Sequence, residues 1–283
     1  MRYATFLILL LTLSCLTLGG SQVWAADEGS VLFVAPHRLI ILPTEKVSVL
    51  NLSNKSSEPR RYDLQLIDQA MDANGVTQRV ESFPYSVKNM VRFVPKRFSL
   101  QPGEQQTVRV MVQRPPNLAD GDYHSHLLFR EVPLNVKDKA QLEAERQTAA
   151  AQKSVSFEIR TLYGVAVPIV VQQGKLISDM NLGQPKLVIG AESKQRELAI
   201  DFIRTGNSEA AAMLKAEYVQ AGKPAVPIIQ PQWVRLYHEI DKITKQIPLI
   251  NIPKDAKGGK IVVSLIKDEA DDSKTVRKEL AFN

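Results

Sequence analysis

The sequence predicts an all-β protein built as two β-sandwiches. Short apolar or alternating runs rich in Val, Ile, Leu, Phe and Tyr recur along nearly the whole chain. Turn residues separate these runs at intervals suited to antiparallel connections. The runs also fall into two sets, divided at Gln172-Gln173-Gly174-Lys175. This spacing, with connections compatible with a Greek key, points to sandwiches of immunoglobulin type. A Cys…Trp…Cys triad is lacking, which argues against an antibody-like domain but not against the architecture.

Residues 1–25 read as a cleaved signal peptide. Arg2 supplies a minimal positive start, Phe6 to Leu18 an apolar run, and Val23-Trp24-Ala25 a small-residue cleavage site ahead of Ala26. The run is short for a membrane span of roughly 20 apolar residues, so an exported chain with no membrane insertion after cleavage is expected. Cys15 lies inside the apolar run, not at its end, and it is the single cysteine. The mature chain would therefore hold neither a disulfide nor a thiolate metal site. Beyond residue 25 the chain carries 35 basic and 30 acidic residues. The two signs are interleaved, which disfavours nucleic acid as a partner.

The first set of strands is expected in the region 26–172 and the second in 173–283. Val31–Leu42, Lys46–Ser53 and Tyr62–Ile67 come first, and the turn Asp72-Ala73-Asn74-Gly75 follows. Val91–Val94 and Phe98–Leu100 lead to Pro102-Gly103, where proline presets φ and glycine accepts a positive one. Thr107–Val112, Tyr123–Val132 and Val155–Val171 complete the set. The second comprises Leu198–Arg204, Leu214–Val219, Trp233–Tyr237, Ile247–Ile252, Ile261–Ile266 and Leu280–Phe282. One segment breaks the pattern: Lys137–Lys153 is rich in Ala, Gln, Glu and Lys, a composition for helix or a solvated loop.

Catalytic chemistry is not indicated. Gly222-Lys223 and Gly258-Gly259-Lys260 lack the spacing of a phosphate-binding loop, and no G-x-S-x-G elbow occurs. His124 and His126 share one face of a strand, but no third metal ligand can be named, so surface or edge histidines are expected. No cofactor is implied. Two features remain. Val155, Phe157 and Ile159 repeat at period two directly after the unusual segment, so in a strand they share a face. Arg38 and Arg160 each adjoin an apolar strand. An arginine next to Leu39-Ile40-Ile41-Leu42 must find an anion or turn outward, and its donors match a carboxylate in bidentate fashion.

The chain resembles the periplasmic chaperones of pilus assembly, the PapD-like family. Ala35-Pro36-His37-Arg38-Leu39-Ile40-Ile41 looks like the family's first strand. Phe93-Val94-Pro95, with Phe98-Ser99-Leu100-Gln101-Pro102-Gly103-Glu104-Gln105-Gln106-Thr107-Val108-Arg109, is similar to its most recognisable block. Leu128-Phe129-Arg130-Glu131-Val132-Pro133 matches the strand before its long loop. The likeness covers most of residues 31–172; beyond them it rests on length and strand pattern.

The resemblance implies a periplasmic, non-enzymatic chaperone that lends an edge strand to pilin-like subunits and hands them to an outer-membrane usher. Val155, Phe157 and Ile159 would fill the groove of the client subunit, an instance of strand addition. Arg38 would hold the client's C-terminal carboxylate, and its removal would lower client capture while leaving the melting temperature nearly unchanged. The second anchor is read as Arg160, which points opposite to Val155, Phe157 and Ile159; alignment on Leu162-Tyr163 would put Thr161 there instead. The family's Arg-Pro after the aromatic pair is replaced by Gly164-Val165, which leaves any salt bridge between the sandwiches without that arginine. The competing class is an exported structural or adhesive β-sandwich protein of a surface fibre. Such a subunit usually has one incomplete sandwich and a longer N-terminal extension.

Overall fold

The computed structural model describes residues 31–134, 162–253, 256 and 258–282, and in it the first apolar run forms two strands instead of one. β1 (Leu32–Ala35) and β2 (Leu39–Ile41) flank Pro36-His37-Arg38. Proline brings no N–H to a ladder, and across it the chain changes sheets. The first sandwich continues with β3 (Val47–Asn54), β4 (Arg60–Met71), β5 (Thr77–Val80), β6 (Val91–Val94) and β7 (Arg97–Leu100), then β8 (Gln105–Val112), β9 (Gly121–Val132) and β10 (Gly164–Gln173). One sheet has the order β1-β3-β8-β6; the other runs β2-β10-β9-β4-β5, with β7 also on β4.

Alternation decides which side chains meet between these sheets. Val108, Val110 and Val112 of β8 point inward, as expected from their spacing. They join Leu50, Leu52, Tyr62, Leu127, Phe129, Val167, Ile169 and Val171 in one core. Each fully buried side chain of this size contributes about 1.5–3 kcal/mol. The turn at Pro102-Gly103 is present: Gly103 has φ 75° and donates its N–H to Asn54 O at 3.0 Å.

β10 runs through Gln172 and Gln173, and the chain then turns at Gly174, φ 61°. The second sandwich comprises β11 (Ser178–Leu182), β12 (Lys186–Ile189), β13 (Arg196–Gly206), β14 (Ala210–Val219), β15 (Val226–Pro227), β16 (Gln232–Leu236), β17 (Lys242–Pro248), β18 (Lys260–Ile266) and β19 (Val276–Ala281). β11, β12 and β17 pair with β13 in one sheet; the other has the order β15-β14-β18-β19, with β16 also on β14. Leu198, Ile200, Phe202, Leu214, Ile261 and Val263 lie at the centre of its core. The strand expected at Ile247–Ile252 is displaced: β17 ends at Pro248 with Ile243 and Ile247 inward, and the chain leaves the extended conformation by Asn251, φ 55°. β5, β11, β12 and β15 were not expected. The segment Lys137–Lys153 lies outside the described residues. Among the described residues no helix is long and apolar enough to cross a membrane.

Candidate functional site

Two features of the first sandwich bear on function: an open edge on β10, and a buried polar seam where the sandwiches meet. The edge follows from hydrogen-bond phase. β10 pairs with β9 along its full length, Gly164 opposite Arg130 through Gln173 opposite Gly121. Glu131 N donates to Tyr163 O at 2.9 Å. In an antiparallel ladder the inward and outward backbone groups alternate by residue, so Gly164, Ala166 and Pro168 turn theirs away from β9. On that outer side β2 runs parallel to β10, but only Leu39, Ile40 and Ile41 pair, with Ile169, Val170 and Val171. Over Gly164–Pro168 no strand among the described residues covers the edge. Arg38 immediately precedes Leu39, so it stands at the end of this uncovered lane, beside Pro168.

Val165, Val167, Ile169 and Val171 face the core. Val155, Phe157 and Ile159 have the same parity upstream. These three residues, and Arg160 with Thr161, lie outside the described residues.

Arg38 meets its anion inside the chain. Its Nη2 donates to Glu209 Oε2 and its Nη1 to the Tyr237 hydroxyl at 3.1 Å. The guanidinium carbon lies 5.1 Å from the centre of the Tyr237 ring. Burial lowers the Arg38 pKa from its ordinary value, and the nearby Arg235 charge adds to this while Tyr237 opposes it. The group remains charged at neutral pH. Arg235 Nη1 donates to the other Glu209 oxygen, Oε1. Its backbone N–H donates to Asp122 Oδ2 at 2.8 Å. Burial raises the Asp122 carboxyl pKa against the pull of Gln172, His238 and Arg38.

The histidines expected on the surface are instead buried. His124 and His126 are 1% and 4% exposed, because the face they share is covered by the second sandwich. His124 stacks on Tyr237 at 4.4 Å and 17°, and its Nε2 donates to Glu239 Oε2 at 3.0 Å. Glu239 Oε1 accepts the Met71 N–H at 2.9 Å. Burial alone would raise the Glu239 pKa, but the His124 and Met71 hydrogen bonds hold it below its usual value. His126 titrates at about 4, lowered first by burial and then by the His124 and Arg38 charges. Among the described residues no group of three His, Cys, Asp or Glu side chains could hold a metal ion.

The seam therefore needs no arginine after Leu162-Tyr163. Arg38–Glu209, Asp122–Glu209 and His124–Glu239 connect the sandwiches. Sequence reasoning missed Glu209, Asp122, Tyr237 and Glu239, which carry no shared motif. The expectation that Arg38 could be removed without loss of stability is revised. Arg38→Ala would free the Tyr237 hydroxyl and leave Glu209 to Arg235 alone. We expect a loss of about 2 kcal/mol in urea denaturation, less than for a wholly unpaired buried charge because Arg235 remains. An unchanged midpoint would mean that this contact contributes nothing to stability.

The chain matches no family model and no curated protein. It is similar to several solved structures. One is the crystal structure of the YadV chaperone, at 11% identity and a TM-score of 0.46, covering 89% of this chain and 100% of that one. Another is the CsuC–CsuE chaperone–tip adhesion subunit pre-assembly complex from archaic chaperone–usher Csu pili of Acinetobacter baumannii, at 13% identity and a TM-score of 0.46, covering 89% and 98%. A third is the class 5 fimbriae chaperone CfaA, at 11% identity and a TM-score of 0.46, covering 88% and 98%.

Proposed function

We propose that this chain is a non-enzymatic periplasmic chaperone that binds pilin-like secreted subunits by lending them an edge strand, then delivers them to an outer-membrane usher. In this reading residues 1–25 are removed on export, 26–172 form the client-binding sandwich and 173–283 the second one. The observation that carries the reading is the uncovered lane on β10 that ends at Arg38.

The lane has a direction. β2 already occupies its far end and runs parallel to β10. A client strand laid ahead of β2 in the same sense would finish with its C-terminus against Arg38, where a carboxylate meets a guanidinium. Laid in the opposite sense, its leading end would bring an amine to the same charge. Gly164 and Ala166 each offer an N–H and a C=O outward, whereas Pro168 has no N–H to offer. The ladder would thus lose its last donor beside the anchor, as proline at a strand edge permits. Upstream, Val155, Phe157 and Ile159 supply apolar side chains for the client's groove, with Arg160 or its neighbour Thr161 as the second anchor.

The test is Phe157→Ser, read in two ways. As a donor to a client, Phe157 contributes to binding, and its loss should lower co-purification with a pilin-like subunit encoded alongside the chain by roughly tenfold or more. Stability in urea should fall by about 1 kcal/mol or less, as for a surface change. Loss of stability with capture intact per folded molecule would assign Phe157 to the core and end this reading.

A further inference from the structure

We propose that Glu209 is a built-in competitor for the client: in the unloaded chain its carboxylate holds Arg38, and an arriving C-terminal carboxylate displaces it onto Arg235. This inference rests on the chaperone reading and adds a gate to its anchor.

Three observations converge on the exchange. Arg38 is already engaged by a carboxylate, and both side chains are largely buried, at 16% and 11% exposure. A second carboxylate brought to the same guanidinium would repel the first at close range, so both would not settle there together. Glu209 also has somewhere to go. Its other oxygen already rests on Arg235, whose side chain is 37% exposed and so lies on the solvent side of the pair. The backbone N–H of Glu209 stays fixed to Asp122 across the seam, so the swing involves the side chain alone. Finally, Arg38 Nε is buried with no hydrogen-bond partner. That donor is one that Glu209 leaves unused and that an approaching carboxylate could take.

An internal competitor makes the anchor selective. Small free carboxylates must oust a tethered rival with nothing but charge. A chain terminus delivered by a strand paired along Gly164–Pro168 adds backbone hydrogen bonds to that contest. Arg38 would then respond to the ends of docked strands and ignore dissolved acids.

Removing the competitor should therefore strengthen binding, whereas a residue that merely positions Arg38 would weaken it when removed. The probe is a dye-labelled peptide of alternating valine and threonine with a free C-terminus, alongside its C-terminal amide, followed by fluorescence anisotropy on the full chain. Glu209→Gln should tighten the free-acid peptide by roughly tenfold, as expected if the competent anchor is a minor population. The amide should bind wild type and variant alike. Arg235→Gln should weaken the acid peptide, because displaced Glu209 loses its alternative partner. Unchanged or weaker acid binding by Glu209→Gln overturns the gate and leaves the chaperone reading standing. If that variant fails to fold, Arg235→Gln decides, and unchanged affinity there overturns the gate. A peptide bound by none of the three proteins overturns the lane itself, and the gate with it.

Discussion

Arg204→Ala should lower the unfolding free energy by about 4 kcal/mol, near the upper end for a single substitution. Arg204 is 3% exposed, and each of its five N–H groups has an acceptor. Nε donates to Ile240 O at 2.9 Å, Nη1 to Gly206 O at 2.8 Å and Ser208 O at 3.0 Å, and Nη2 to His238 O at 3.0 Å and Asp241 Oδ1 at 2.6 Å. Four backbone carbonyls would lose their donor at once, that of buried Ser208 among them. Those carbonyls belong to the two loops that carry Glu209, Tyr237, His238 and Glu239 to the seam. Hydrogen exchange at Met71, whose N–H rests on Glu239, should therefore quicken although Met71 lies in the other sandwich. Arg204→Lys should recover only a small part, since an ammonium cannot reproduce the planar fork. A loss below about 1 kcal/mol in urea denaturation would contradict this account.

Acid should weaken the fold before the carboxylates titrate. His126 has a native pKa of about 4 against 6.5 for the free side chain. Between these values the unfolded chain takes up a proton that the native chain refuses. Its contribution is thus fully present above about pH 6.5 and is lost as pH falls toward about 4, by about 3 kcal/mol in all. Asp68 behaves differently. Burial would raise its pKa, but Ser125, Lys88 and Ser86 hold it below its usual value, so its contribution is lost only below the ordinary carboxylate range. Glu239 follows the same rule. Urea midpoints measured from pH 7 to pH 4.5 should slope downward in wild type and flatten in His126→Gln. Equal slopes in the two proteins would place the acid sensitivity elsewhere.

Much of the fold was legible because alternation alone picks out strands with one face in a core. Thr107–Val112 is such a case, its three valines at period two. β11 escaped notice because Ser178–Leu182 commits only Met180 and Leu182 to the interior. β17 escaped for a related reason: the denser apolar run after Ile247 drew the reading past Ile243. At the site, Arg38 stood out because a cation beside an apolar strand requires an anion. The identity of that anion was not legible. Glu209 reaches it from a turn 171 positions away, and nothing local marks that carboxylate as different from others on the chain. Period two correctly put His124 and His126 on one face, but no local pattern tells that the second sandwich covers that face.

The division of the first apolar run between two sheets also sets an order of assembly. β1 finds its partner nearby, since Leu32–Ala35 pairs with Asn51–Asn54. β2 must wait for Ile169–Val171, and Arg38 must wait longer still, for Glu209. Non-local pairings of this kind form late, because a long loop has to close before they are rewarded. A chain emerging from its N-terminus thus makes Arg38 among the first residues and positions it among the last. Until those closures Arg38 has neither β10 beside it nor the Glu209 carboxylate to hold it. Sequence distance acts here as a delay: the part of the seam made earliest in the chain is the last to be closed.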